Sequence, residues 1–215
     1  MKSVAATFLA ACALAASSGA AHAQISDDVV KIGVLTDMSS LYADATGKGS
    51  LTAVQMAVED YGSKVKGKPV EVVYADHQNK PDIGVGIARN WYDNEKVDAI
   101  FDVPTSSVAL PISALTREKN KININSGGGS SDITGPACSP NTVHWTYDTY
   151  SLSNVAGKAM VKRGEDTWFF VTADYAFGMA LERDAANVVK ESGGKVLGSV
   201  RHPLNSSDLD RKSVV

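Results

Sequence analysis

Three consecutive glycines between serines, Ser126-Gly127-Gly128-Gly129-Ser130-Ser131, follow the run Ile122-Asn123-Ile124-Asn125. Backbone N–H groups in such a loop can approach an anion closely, and the serines add hydroxyl donors. A phosphate loop of the GxxxxGK[ST] kind needs a lysine to reach the phosphates and a hydroxyl for magnesium. Neither that lysine nor a GxGxxG spacing follows Gly127, so nucleotide binding is not expected. The same donors can hold a carboxylate with no chemistry done on it. A plainer alternative stays open, in which the stretch only turns the chain and caps a helix starting near Asp132.

Other reactive residue types do not assemble. His77, His144 and His202 have no partner at i+3 or i+4, so no metal is expected. Cys138 and His144 lie six residues apart, but no wider nucleophile arrangement supports the pair. Asp37, Asp76 and Asp174 fall at the ends of strand-like runs, where Asp most often caps a helix or forms a turn. An enzyme is not expected, and neither is a cofactor. The net charge of −3 comes without a Lys/Arg stripe, which argues against a nucleic-acid partner. With 44% hydrophobic and 21% charged residues, the chain has ordinary globular composition.

The elements that must position the glycine loop alternate from Val29 onward. Val30 to Leu35 reads as a strand, and Leu51, Val54, Ala57, Val58 and Tyr61 recur at helical spacing. A second strand spans Val70 to Tyr74. A helix follows from Pro81, which suits a first turn, to about Glu95, with Ile83, Ile87, Trp91 and Tyr92 toward the core. Asp98 to Val103 is a third strand, Pro104 to Ser107 a loop, Val108 to Glu118 a helix, and Ile122 to Asn125 a fourth strand. Strands alternating with helices predict a parallel α/β sheet covered on both faces. Ligands of such sheets bind outside the carboxyl ends of the strands, where Asp37 to Tyr42, Asp76 to Lys80, Pro104 to Ser107 and Ser126 to Ser131 all fall. "VHWTYDTY" (Val143 to Tyr150) interrupts the pattern. The alternation then restarts with a helix over Leu152 to Arg163, a strand over Thr167 to Val171, a helix to about Glu191 and a strand over Lys195 to Arg201. A crossing into a second α/β lobe is expected near Trp145, giving 24–145 and 146–209 as the two parts.

Both ends carry separate signals. Lys2, the apolar run Val4 to Ala16 and the Ala21-His22-Ala23 site read as a signal peptide over 1–23, cleaved after Ala23. Leu9-Ala10-Ala11-Cys12 fits a lipoprotein box, but would leave an apolar region of only about seven residues. Cleavage after Ala23 leaves Cys138 as the only cysteine, with its partner undetermined. Asp210 to Val215 matches the translation of a sequencing adapter, so the chain is expected to be a truncated copy of a longer one.

The stretch from Val29 to Asp208 resembles the periplasmic substrate-binding proteins of ABC importers, in the leucine/isoleucine/valine-binding (type I) family. "VVKIGVLTDMSS" is similar to the family's opening strand. "YADHQNKPDIGVGIARNWYDNEKVDAIFDVPTSSVALPI" resembles its loop, helix, strand and hydroxyl-rich loop. "ININSGGGSSDIT" stands in its third pocket loop, "TADYAFGMAL" opens a second-lobe helix, and "GGKVLGS" resembles the strand after it. The resemblance implies a type I periplasmic-binding-protein fold, two Rossmann-like lobes with the second incomplete, closing like a hinge on a solute for delivery to an inner-membrane permease. By position it makes Thr105 and Ser106 hydroxyl donors to a ligand carboxylate. Gly127, Gly128 and Gly129 would offer backbone groups, with Ser130 at the loop edge. Tyr175 would close from the second lobe, and Tyr150 is a candidate at the crossing. A periplasmic location and a monomeric full-length form follow from the same resemblance.

Two departures bear on the ligand. The family's frequent Gly-Pro after the first strand is Asp37-Met38 here, and its third loop, often Ala-Ala-Thr, is Gly127-Gly128-Gly129. The smaller loop is expected to enlarge the pocket, while Trp145, Tyr147, Tyr150, Tyr175 and Phe177 offer stacking faces. "HWTYDTY" and "TADYAFG" look like the subgroup from soil α-proteobacteria that takes up aromatic acids. An aromatic carboxylate is therefore the expected ligand, with a branched-chain amino acid or amide second. A ligand-sensing domain of a signalling system would share the fold, and neighbouring permease or regulator genes would separate the two readings.

Overall fold

The structure, a computed structural model, describes residue 25 and residues 27–206. The expected signal peptide and the expected adapter-derived end lie outside the described residues. The chain runs β1 (Val30–Thr36), α1 (Gly47–Asp60), β2 (Lys64–Val65), β3 (Lys68–Asp76), α2 (Pro81–Asp93), β4 (Ala99–Asp102), α3 (Ser106–Glu118), β5 (Ile122–Asn125), a 3-10 turn (Ser131–Ile133) and β6 (Thr142–His144). It continues as α4 (Thr149–Lys162), β7 (Thr167–Ala173), α5 (Ala176–Glu191) and β8 (Lys195–His202).

The first six strands form one sheet in the order β2-β3-β1-β4-β5-β6, and β7 and β8 pair separately. All pairings are parallel except the β2–β3 hairpin. Strand order reverses between β1 and β4, the switch point at which open α/β sheets leave a crevice. The register brings Leu35, Asp102, Asn125 and His144 into one row at the carboxyl edge. Loops leaving that edge therefore start side by side. Beneath them Leu35, Ile100, Val108 and Ile112 are fully buried, with Trp91 and Leu115 nearly so. Each such side chain contributes about 1.5–3 kcal/mol, so the loops stand on a rigid base.

Local signals account for several boundaries. Pro81 opens α2 at its first turn, where its missing N–H is not needed. Asp148 and Ser151 form a reciprocal capping box, so α4 begins at Thr149, three residues before the apolar spacing predicts. The β2–β3 hairpin was not anticipated: Lys66 and Gly67 both take positive φ (50° and 81°), and a lysine in place of Asn or Asp hides the two-residue turn. "VHWTYDTY" is also not irregular throughout. Its first residues belong to β6, which pairs with β5 and takes Trp145 N–H onto Asn125 O at 2.7 Å. The helix expected near Asp132 is a single 3-10 turn, capped by Ser130 Oγ accepting from Asp132 N.

Candidate functional site

A cavity of about 70 Å³ opens between the carboxyl edge of the first sheet and the start of α5. Tyr42 reaches it from the loop after β1, Thr105 and Ser106 from the loop after β4, and Gly127 and Gly129 from the loop after β5. Tyr147, Tyr175 and Phe177 face them from the other side. Thr105 and Tyr175 also wall a wider groove of about 570 Å³, flanked by Asn79, Ser107, Asp174 and Leu204.

Each wall is fixed by identifiable contacts. Buried Asp37 folds the first loop: its carboxylate accepts from Ser40 N (2.9 Å), Ser40 Oγ (2.6 Å) and Tyr42 N (2.9 Å). Asp76 accepts from Met38 N (2.9 Å), Ser39 Oγ (2.5 Å) and Gln78 N (2.8 Å), tying two loops together. The turn-forming role expected of these carboxylates is the geometry found. With Asp37 holding its backbone, Tyr42 donates its phenol proton to the Tyr175 oxygen across the cavity at 3.2 Å. Burial pushes the Tyr175 phenol well above its ordinary pKa, so it stays protonated and keeps its own proton to donate.

The loop after β4 is strained. Asp102 and Val103 take φ of 80° and 53°, and a β-branched residue rarely adopts such values. Val103 is held there by its N–H on Leu35 O (3.0 Å) and by Asn125 Nδ2 on its carbonyl (3.0 Å). Ser126 Oγ donates to Asp102 Oδ1 at 2.8 Å. The outcome of this bracing is the position of Thr105, which is 2% exposed and whose hydroxyl has no partner among the described residues. Thr105 is the N-cap of α3 and Tyr175 the N-cap of α5, and neither side chain caps its helix. The two N-termini meet, with Ala176 N–H donating to Ser107 Oγ at 3.1 Å. Two helix dipoles thus place their positive ends at one cleft, an arrangement that favours an anion.

Of the eight predicted site residues, Thr105, Ser106, Gly127, Gly129 and Tyr175 line this cavity. Gly128 lies behind it, its carbonyl accepting from His144 Nε2 at 2.6 Å and its N–H donating to Asn125 Oδ1 at 2.9 Å. Ser130 is fully buried, receiving no solvent, and donates its N–H to Ser106 Oγ at 3.0 Å. Tyr150 is 61% exposed on α4 and does not reach the cavity. The expectation that three glycines enlarge the pocket is corrected. A Cβ on Gly127 would lie 2.7 Å from Pro104 Cα, and one on Gly129 would lie 2.9 Å from the Phe177 ring. The space left by the missing side chains is filled by protein. Tyr42 was placed in a rim loop by its sequence position, but its direction depends on the Asp37 hydrogen bonds, which spacing does not reveal.

A family model described as periplasmic binding protein matches residues 29–212. The Leu/Ile/Val-binding protein homolog 6 of Brucella abortus is 28% identical over 210 residues, which is 97% of this chain and 52% of that protein. A crystal structure of a periplasmic binding protein from Burkholderia mallei superposes with a TM-score of 0.84 at 54% identity, over 86% of this chain and 49% of that one. A solute binding protein of an ABC transporter from Rhodopseudomonas palustris, in complex with 3,4-dihydroxy benzoic acid, gives a TM-score of 0.75 at 26% identity, over 85% and 49%. The chain thus spans about half the length of the relatives it matches. Its strand order, its crevice at the switch point and this match over most of its length agree: the chain belongs to the periplasmic binding protein family.

Proposed function

We propose that the chain is part of the periplasmic solute-binding component of an ABC transporter. It captures a small carboxylate-bearing ligand between two lobes for delivery to the permease. One observation carries this reading: two helix N-termini whose own N-cap side chains form no cap converge on a cleft where the buried Thr105 hydroxyl has no partner among the described residues. A carboxylate there would accept from Thr105, Ser106 and the first N–H groups of α3, and would sit at the positive ends of both dipoles.

An aromatic acid is the first choice of ligand, a branched-chain amino acid or amide the second. The surrounding rings of Tyr42, Tyr147, Tyr175 and Phe177 supply stacking faces, and one relative was solved with an aromatic acid. A benzene ring is known to fit a cavity of about 150 Å³, roughly twice the space enclosed here. Such a ligand must therefore also occupy the groove beyond Thr105 and Tyr175 or part the Tyr42–Tyr175 pair. The complete protein is proposed to act as a monomer in the periplasm, exported by a signal peptide cleaved after Ala23, with its lobes meeting near Trp145. Thermal shift against benzoate-type acids and against leucine, isoleucine and valine tests the ligand class. Stabilisation by the acids is expected. Stabilisation by leucine alone reverses the order, and stabilisation by neither panel removes the reading.

A further inference from the structure

Behind the cleft loop lies a polar strut whose residues line neither the cavity nor the groove described above. Asp184, in the middle of α5 and 8% exposed, accepts from Ser131 Oγ and from Thr149 Oγ1, each at 2.6 Å, through one carboxylate oxygen. Its other oxygen accepts from Arg183 Nε at 3.0 Å. Arg183 extends outward to Asp132 Oδ1 (2.6 Å) and Ser131 Oγ (2.7 Å). Thr149, the first residue of α4, receives the Ser131 N–H on its hydroxyl at 3.0 Å and donates its own N–H to Gly129 O at 2.8 Å. The strut therefore joins the end of the Ser126 to Ser131 loop, the crossing into the second sheet and α5.

Helix α5 meets that loop at two points. Near its start the Phe177 ring lies where a Gly129 side chain would be, and Tyr175 and Ala176 bond to Tyr42 and Ser107. Seven residues further on, about 10 Å along the axis and on the same face, Asp184 holds Ser131. One contact would fix only a position. Two contacts a fixed length apart also fix the helix's direction and its rotation about its own axis. The rings at its start are thereby aimed at the glycine loop. Hydrogen bonds to a charged carboxylate at 2.6 Å are short and strong, and a buried carboxylate deprived of them would be costly.

We propose that Asp184 is a positioning residue for the cleft: through Ser131 and Thr149 it sets the angle at which α5 presents Tyr175 and Phe177 to the Gly127 to Gly129 loop. The proposal rests on the reading of the cleft as a ligand site, although its first test needs no ligand. Hydrogen exchange is measured on the 215-residue chain at low micromolar concentration for wild type, Asp184→Asn, Thr149→Val and Thr149→Ser. Exchange at Gly129 to Ser131 and at Tyr175 to Phe177 is expected to rise at least tenfold in Asp184→Asn and Thr149→Val. Amides of β1, β3 and β4 keep their wild-type protection, and Thr149→Ser, which retains the hydroxyl, restores both segments. Benzoate affinity, followed by calorimetry, falls about tenfold or more in the same two variants, mainly through faster release.

Uniform acceleration over the whole chain, or no change at the two segments, overturns the proposal. If Asp184→Asn fails to fold, the Thr149→Val and Thr149→Ser pair decides by the same criteria. If wild type ignores benzoate while the exchange pattern appears as expected, the ligand reading fails and the strut stands.

Discussion

The Thr105 hydroxyl is buried with no partner among the described residues, an arrangement that costs stability unless a ligand or water takes its proton. Thr105→Val keeps the shape and removes the donor. Because a hydrogen bond to a charged group is worth about 1.5–3 kcal/mol, carboxylate binding is expected to weaken roughly 10- to 100-fold by calorimetry. Thermal stability should hold or improve slightly. Gly127 behaves differently, since a Cβ there meets the Pro104 backbone at 2.7 Å and neither partner can rotate away. Gly127→Ala is expected to destabilise the fold by about 1–3 kcal/mol in urea titration, as overpacked sites do. An unaltered urea midpoint would restore the view that the loop's glycines leave space for ligand. From sequence these two residues looked alike, as members of polar loops. The difference between them is a matter of which neighbour fills the adjacent space, and only the assembled sheet edge decides it.

At the scale of elements, apolar spacing located every long helix and every strand that carries its own hydrophobic run. It failed where a tertiary partner or a capping group decides. β6 has three residues and exists because β5 offers it an edge, and α4 starts early because Asp148 caps it. Removing that cap with Asp148→Ala is expected to cost about 1 kcal/mol, read by the same titration. His77 shows the same dependence on context. It looked isolated in sequence, yet it is fully buried where β3 leaves the sheet, accepting from Asn79 N on Nδ1 at 3.0 Å. Its Nε2 has no partner among the described residues. Burial lowers its pKa below the ordinary histidine value, and the nearby Asp37, Asp76 and Asp102 offset only part of that. A depressed folded pKa means the unfolded chain binds the proton first. The stability held by neutral His77 is therefore complete above about pH 6.5, the unfolded value, and is lost as pH falls through the folded value. Urea midpoints are expected to decline from about pH 7 downward. His77→Asn, whose Oδ1 can replace Nδ1 as acceptor, should flatten that slope even if its absolute stability is lower. An equal slope in both proteins would assign the titration elsewhere.

At the scale of the whole molecule, the two sheets are unequal. The first has six strands over a continuous core, whereas the second is a two-stranded sheet, an arrangement that is marginal alone. In the second sheet Phe169 and Val171 of β7 and Leu197 of β8 are 57%, 57% and 69% exposed. Contiguous apolar surface and open strand edges of this kind promote association. The docking of α5 on the first sheet's loops through Tyr175, Ala176 and Asp184 keeps the second sheet in place without covering those side chains. The 215-residue chain is therefore expected to self-associate with rising concentration. It is also expected to bind an aromatic acid at least tenfold more weakly than a protein extended to the relatives' length. Sedimentation over a concentration series, with calorimetry on both lengths, separates the outcomes. Replacing Phe169, Val171 and Leu197 by Thr should suppress the association while leaving the cleft residues untouched. If the unmodified chain stays monomeric and binds as tightly as the longer protein, the exposed face has no such role, and the first sheet with α5 makes a sufficient site.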